Sequence, residues 1–130
     1  MNQEERQAYA QHRIESAYQT LEAARLLANH GYWNSAVNRL YYATFYAINA
    51  LFVLYSIETQ THSGLKQQFS LHFVKPGLFD KKYGKLLSEL YDWRLKGDYD
   101  DLITFKSEDV TPLFSLVKDL LDKVENTIAK

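Results

Sequence analysis

Cysteine is absent from the 130 residues, which excludes a disulfide framework, a thiolate metal site and a cysteine nucleophile. Proline occurs twice and glycine five times. So little punctuation suits long helices better than many turns and short strands. No apolar run reaches 18 residues, so no membrane span is expected. The opening MNQEERQAYAQHR is polar and lacks the apolar centre of a secretory signal; the expectation is a cytoplasmic protein. An excess of either charge is missing too. The formal net charge is −1, which argues against avid nonspecific binding to long nucleic acid but leaves room for a small basic site.

What is present is an ordinary globular mixture, 46% hydrophobic and 24% charged, at a length that suits one domain with a real core. Apolar residues recur in steps of three and four at Ala10, Ile14, Ala17, Leu21, Ala24 and Ala28, predicting a helix over 3–29 that ends before Gly31. A second helix is expected to about Leu54, capped by Asn34 or Ser35. One of its faces reads Val37, Tyr41, Thr44, Ile48, Leu51 and Tyr55, while Arg39, Tyr42, Tyr46, Asn49 and Val53 fall opposite. A helix apolar on one side and aromatic on the other is covered on both, so it belongs at the centre of the fold or between the core and a partner.

Thr61 or Ser63 can cap a short third helix to about Phe73, closed by Pro76 and Gly77. A fourth is expected over 79–96, with the stripe Phe79, Tyr83, Leu86, Leu87 and Leu90. The stretch KGDYDDLITFKSED reads as a connector. A last helix begins at Asp109 or Thr111, with Pro112 in its first turn. The expected fold is all-α: an antiparallel up-and-down four-helix bundle with one additional short helix as a cap or crossover.

Two arginines carry most of the chemical interest. Arg39 shares a face with Tyr42 and Tyr46; it either pairs with a carboxylate from another helix or holds a phosphate or carboxylate among tyrosine hydroxyls. Continuing the fourth stripe by one turn from Leu90 lands on Arg94, so an arginine points where leucines point. Asp98 follows at i+4, giving either a local ion pair or the lining of a cleft or dimer seam. The acids Asp98, Asp100, Asp101, Glu108 and Asp109 lack calcium-loop spacing and read as solvated loop and helix-start residues rather than metal ligands. Of the histidines His12, His30, His62 and His72, none forms an HxxxH or HExxH pair, so no metal is expected. His62 stands just before a helix start, where it could touch a ligand. No nucleophile elbow or glycine-rich phosphate loop occurs, and no cofactor is expected.

Together AVNRLYYATFYAINALF, THSGLKQQFSLHFVKPG and LYDWRLKGDYDD resemble the HEPN domain, most closely its small stand-alone prokaryotic members. The resemblance spans roughly 36–101, with compatible flanking helices. It implies a mainly antiparallel four-helix bundle that often dimerises, and pairing with a minimal nucleotidyltransferase in toxin–antitoxin-like cassettes. Some relatives are metal-independent ribonucleases that use an arginine followed a few residues later by a histidine at the dimer cleft. Arg94 best fits that arginine. Asp98 and Tyr99 stand where the histidine would be sought, and His62 belongs to a different motif. An ionised aspartate repels phosphate and cannot take the place of an imidazole. The leading expectation is therefore a non-catalytic or weakly active protein, an accessory or regulatory partner of a nucleotidyltransferase that binds a nucleotide through Arg39, Tyr42, Tyr46, His62 and Arg94. The alternatives are a ribonuclease toxin with a divergent dimer-cleft site built on Arg94, Asp98 and Tyr99, cutting RNA, and a structural homodimerisation module.

Overall fold

In a computed structural model describing residues 1–129, the chain folds as five α-helices: α1 (Gln3–Asn29), α2 (Trp33–Leu54), α3 (His62–Phe69), α4 (Lys81–Tyr99) and α5 (Ser107–Ala129). Four are long and antiparallel. The fifth, α3, is short and runs directly into a π-helical turn, Ser70–Val74. The fold is the all-α bundle with one extra short helix that the periodicity demands.

α2 is the central stave and packs against α1, α4 and α5. Its core face, Val37, Leu40, Tyr41, Thr44, Ile48 and Leu51, is fully buried, and Thr44 satisfies its hydroxyl on the Leu40 carbonyl at 3.0 Å. The opposite row, Arg39, Tyr42, Tyr46, Asn49 and Val53, is only half-covered. Tyr55 departs from the expected face: it caps the helix C-terminus and is exposed.

Phenylalanines seat the short piece on one end of the bundle. Phe73 stacks on Phe52 and Phe69 with ring centroids 5.9 and 6.0 Å apart, and Phe79 meets Phe69 edge-on at 5.6 Å. Edge and offset contacts of this kind add to what area burial alone contributes. They lay the segment from α3 through the π-helical turn lengthwise beside α2 and α4, with His62, its first residue, against Tyr41 and Phe45 of α2.

The helix ends follow chain chemistry. Gly31 closes α1 with φ +81°, the amide of Tyr32 reaching back to the Leu27 carbonyl at 2.9 Å and that of Gly31 to Ala28 at 3.0 Å. That paired pattern needs a residue comfortable in the left-handed region. α2 ends in the same motif, Ile57 to Phe52 at 2.9 Å and Ser56 to Val53 at 3.3 Å, but with Ser56 at φ 59° in the glycine's position. The side chain of Thr61 caps α3 by accepting from the Gly64 amide at 2.8 Å.

Boundaries of three helices differ from the sequence reading. Tyr32, not Asn34 or Ser35, occupies the cap position of α2, with no side-chain bond. Asn34 is engaged elsewhere: its Nδ2 donates to the Ile103 carbonyl and its Oδ1 accepts from the Phe105 amide, both at 2.8 Å, clamping the α4–α5 connector. The other two are α4 and α5. α4 begins later, after the cap Asp80, and runs on through Tyr99. α5 starts at Ser107, so Pro112 lies one turn further in than expected.

Candidate functional site

The stripe that carries Arg94 inward is obeyed: the residue is only 9% exposed. Its guanidinium carbon lies 5.1 Å from the ring centre of Tyr41, 5.5 Å from Tyr42 and 5.7 Å from Tyr91. The rings replace water around the cation through their negative faces. Its polar contacts are sparse. Nη1 donates to the Tyr42 hydroxyl at 3.4 Å and stands 3.8 Å from the Asp98 carboxylate, and the buried Nε has no partner. A buried N–H without an acceptor costs on the order of 1–3 kcal/mol, and Nε of Arg13 on α1 shares that condition.

Asp98 is tied down from α2. Asn38 donates to its carboxylate through Nδ2 at 2.9 Å, and the Asn38 carbonyl accepts from Arg39 Nε at 3.0 Å and Nη2 at 2.8 Å. Arg39 has no carboxylate within ion-pair distance among the described residues. Its guanidinium instead lies 5.1 Å from the Tyr42 ring centre. Two guanidiniums thus share Tyr42, with one carboxylate between them, an arrangement with surplus positive charge.

His62 enters this chamber from α3. Its ring sits 5.0 Å from Phe45, 5.5 Å from Tyr41 and 5.8 Å from Tyr91, and Nδ1 is hydrogen-bonded to the Tyr41 hydroxyl. Burial, and secondarily the Arg94 charge, lower its pKa below the usual 6.5, so the imidazole is neutral at neutral pH. Burial likewise pushes the Tyr41 phenol well above its ordinary value, against the pull of Arg94. Tyr41 therefore keeps its proton, and its hydroxyl can donate to His62 Nδ1 or accept from it. With Tyr41 donating, the ring proton of His62 belongs on Nε2. That edge is then a hydrogen-bond donor rather than a base. His62 also lines a hollow of about 90 Å³ with Phe45, Asn49, Thr59 and Thr61.

Of the residues singled out from sequence, Arg39, Tyr42, His62, Arg94 and Asp98 come together. Tyr46 lies one turn further along α2, 6.1 Å from Tyr42 ring to ring, and faces Arg13 of α1 at 5.8 Å. Tyr99 does not join them: it is 77% exposed. Sequence reasoning missed Asn38, Tyr41 and Tyr91 as members. Tyr91 stands three residues before Arg94, a helical-neighbour spacing that could have flagged it. Tyr41 reads as pure core because its hydroxyl partner comes from a distant segment. Among the described residues no three acidic or imidazole side chains cluster as a metal site would need, and no helix is long and apolar enough to cross a membrane.

Comparison with known proteins agrees with this architecture. The chain is 36% identical over 112 residues to a protein of Thermotoga maritima described as a UPF0332 protein, covering 86% of this chain and 85% of that one. It is 33% identical over 112 residues to a Methanocaldococcus jannaschii protein described as "Putative toxin", covering 86% and 76%. A second protein of that organism with the same description is 35% identical over 86 residues, 66% of this chain and 64% of its own length. Residues 10–127 match the HEPN domain, a span that takes in every helix placing the Arg94 chamber, and the chain belongs to the HEPN domain family.

Proposed function

We propose that this chain is a toxin-type HEPN protein whose Arg94 chamber binds a phosphate-bearing ligand, a nucleotide before all, and that it works as the non-catalytic or weakly active partner of a minimal nucleotidyltransferase. The observation that carries the reading is the Arg94 guanidinium, nearly buried among three tyrosine rings with its carboxylate no nearer than 3.8 Å. Phosphate oxygens are the acceptors a planar guanidinium suits best. Arg39 adds a second positive charge across Tyr42, and the Nε2–H of neutral His62 adds a donor. Tyrosine faces around the cation suit the base of a nucleotide as well as its phosphates. The name "Putative toxin" carried by two relatives supports the toxin–antitoxin setting.

Titration of ATP and other nucleotides against the wild type and Arg94→Leu tests the ligand. Binding by the wild type that disappears in a folded variant is the expected result, and absence of binding to both removes the reading. Co-purification with a nucleotidyltransferase encoded beside it tests the partner.

A second reading, metal-independent cleavage of RNA, is favoured by one observation: His62 and Arg94 approach the same rings, Tyr41 and Tyr91, although no histidine follows Arg94 in the chain. Cleavage needs His62 as a base, hence the proton on Nδ1 and Nε2 bare. Incubating RNA with protein in EDTA, with His62→Ala alongside, separates the two readings. RNA left intact at high protein concentration supports binding alone. In either case the half-covered Tyr42–Tyr46 face of α2 is the proposed homodimer seam.

A further inference from the structure

A second concentration of positive charge lies away from Arg94. Between α3 with its π-helical turn and the first half of α4 runs an open groove of about 680 Å³, lined by Lys66, Lys75, Lys81 and Lys85 with Ser70 and Ser88. Among the described residues no carboxylate lines it, although the whole chain has a net charge of −1. The adjoining hollow beyond Lys85 is balanced, Lys85 and Lys96 against Glu89 and Asp92. The positive strip is therefore bounded.

Folding physics does not call for this strip. Lys81, Lys82 and Lys85 occupy the first turns of α4, where the helix dipole disfavours cations, and the acid at that end is the cap Asp80. Gly84 lies inside the same helix, where glycine is unfavourable. A Cβ there would meet Val74 Cγ2 at an ordinary 3.6 Å, so packing does not demand glycine, and its absence of side chain keeps the groove floor low. The π-helical turn opposite is itself a rare feature, concentrated at functional sites. Local rules broken together on one surface point to a use.

We propose that this groove binds the phosphate backbone of a single nucleic-acid strand and leads it to the Arg94 chamber. The route rests on the chamber being a phosphate site, as proposed above; the groove as a strand site does not. Lysines on flexible stems along an open trough suit a row of phosphates better than one compact anion. A volume within the range of small-ligand clefts admits a few nucleotides of one strand. No aromatic residue lines the groove, so it reads backbone and not base sequence. The route is supplied by Lys66, whose Nζ is 3.4 Å from Ser88 Oγ and 5.0 Å from the ring centre of Tyr91, the ring that Arg94 and His62 also face.

The test is fluorescence anisotropy of labelled single-stranded RNA, single-stranded DNA and duplex of mixed sequence, with wild type and Lys81→Ala/Lys85→Ala. Both lysines are exposed, so the double variant keeps the fold. With four phosphates neutralised, wild-type affinity for a single strand should fall about fifty-fold between 50 and 200 mM salt, and that of the variant only about sevenfold, from a slope of roughly 0.7 per phosphate. RNA and DNA single strands should both bind, and more tightly than duplex. An unchanged salt slope in the variant, preference for duplex, or no strand binding at 50 mM salt overturns the groove. ATP titration of the same proteins keeps the two proposals apart. Strand binding lost in the lysine variant with ATP binding intact places two sites; ATP binding without strand binding removes the groove only; strand binding without ATP binding removes the chamber and the route.

Discussion

The imidazole of His62 and the guanidinium of Arg94 meet through Tyr41: its hydroxyl is hydrogen-bonded to His62 Nδ1, and its ring centre lies 5.1 Å from the arginine carbon. One phenol thus holds the imidazole and shields the charge that helps keep it neutral. Nitrogen-edited NMR should find His62 protonated on Nε2 at neutral pH and titrating below 6.5. In Arg94→Gln the titration should move up only partway, because burial is the larger cause and Arg94 the smaller. A proton on Nδ1 would transfer support to the ribonuclease reading.

The same shift sets a pH dependence of folding. A histidine whose pKa is lowered in the folded state binds its proton more weakly there than in the unfolded chain. Its contribution is full above about 6.5, its ordinary value, and is lost as the pH falls below it. Urea midpoints at pH 7.5 and 5.5 should show wild type weakening on acidification, with His62→Gln weakening less. Asp122 belongs to a separate window. Burial raises its pKa, but hydrogen bonds from Lys118 and Tyr18 outweigh that and leave it low. Its contribution is lost only as the pH falls below the ordinary 3.8. Equal sensitivity of wild type and His62→Gln at pH 5.5 would contradict this account.

Arg94 separates stability from function. A buried charge whose carboxylate is 3.8 Å away and whose Nε is unpartnered recovers only part of its desolvation cost from the three rings around it. Arg94→Leu should therefore be no less stable than wild type, and more stable by about 1 kcal/mol where leucine fills the space between the rings. Nucleotide binding should vanish in that same protein. A loss of several kcal/mol by urea denaturation would instead assign Arg94 to the framework.

Much of this was legible in the chain because helical periodicity is local. The stripe through Leu87 and Leu90 carries Arg94 inward whatever it packs against, and Gly31 announces a helix end by its own conformational freedom. What escaped depends on segments far apart. Asn34 has the chemistry of a cap, but the Ile103 and Phe105 backbone claims its amide first. His62 and Arg94 lie in different motifs, and only the packing of α3 lengthwise beside α2 and α4, set by Phe52, Phe69, Phe73 and Phe79, brings them to shared rings. Continuation of α4 through Tyr99 was hidden by Gly97, a poor helix residue. A Cβ at that position would lie 3.1 Å from Phe105 Cε2, so close approach of the connector explains the glycine.

The aromatic face of α2 gives a test of assembly. Tyr42 and Tyr46 are half-covered, with Arg39 over the first and Arg13 near the second. Rings and arginines of this kind are enriched at interface centres. Sedimentation of Tyr42→Asp/Tyr46→Asp should show monomers where wild type shows dimers. A persistent dimer would place the seam on another face.

Ser56 offers a gain in stability with no bearing on the site. It closes α2 at φ 59°, in a conformation that costs a residue with a Cβ roughly 1–2 kcal/mol. Glycine removes that cost but enlarges the freedom of the unfolded chain, an opposing effect of about 0.5–1 kcal/mol. The difference leaves Ser56→Gly more stable by about 0.5–1 kcal/mol, provided that the amides of Ser56 and Ile57 keep their bonds to Val53 and Phe52. Both are backbone bonds and survive the substitution. The urea midpoint should rise with an unchanged slope, and nucleotide affinity should match wild type. A midpoint at or below wild type would mean that the serine contributes an interaction outweighing its backbone strain.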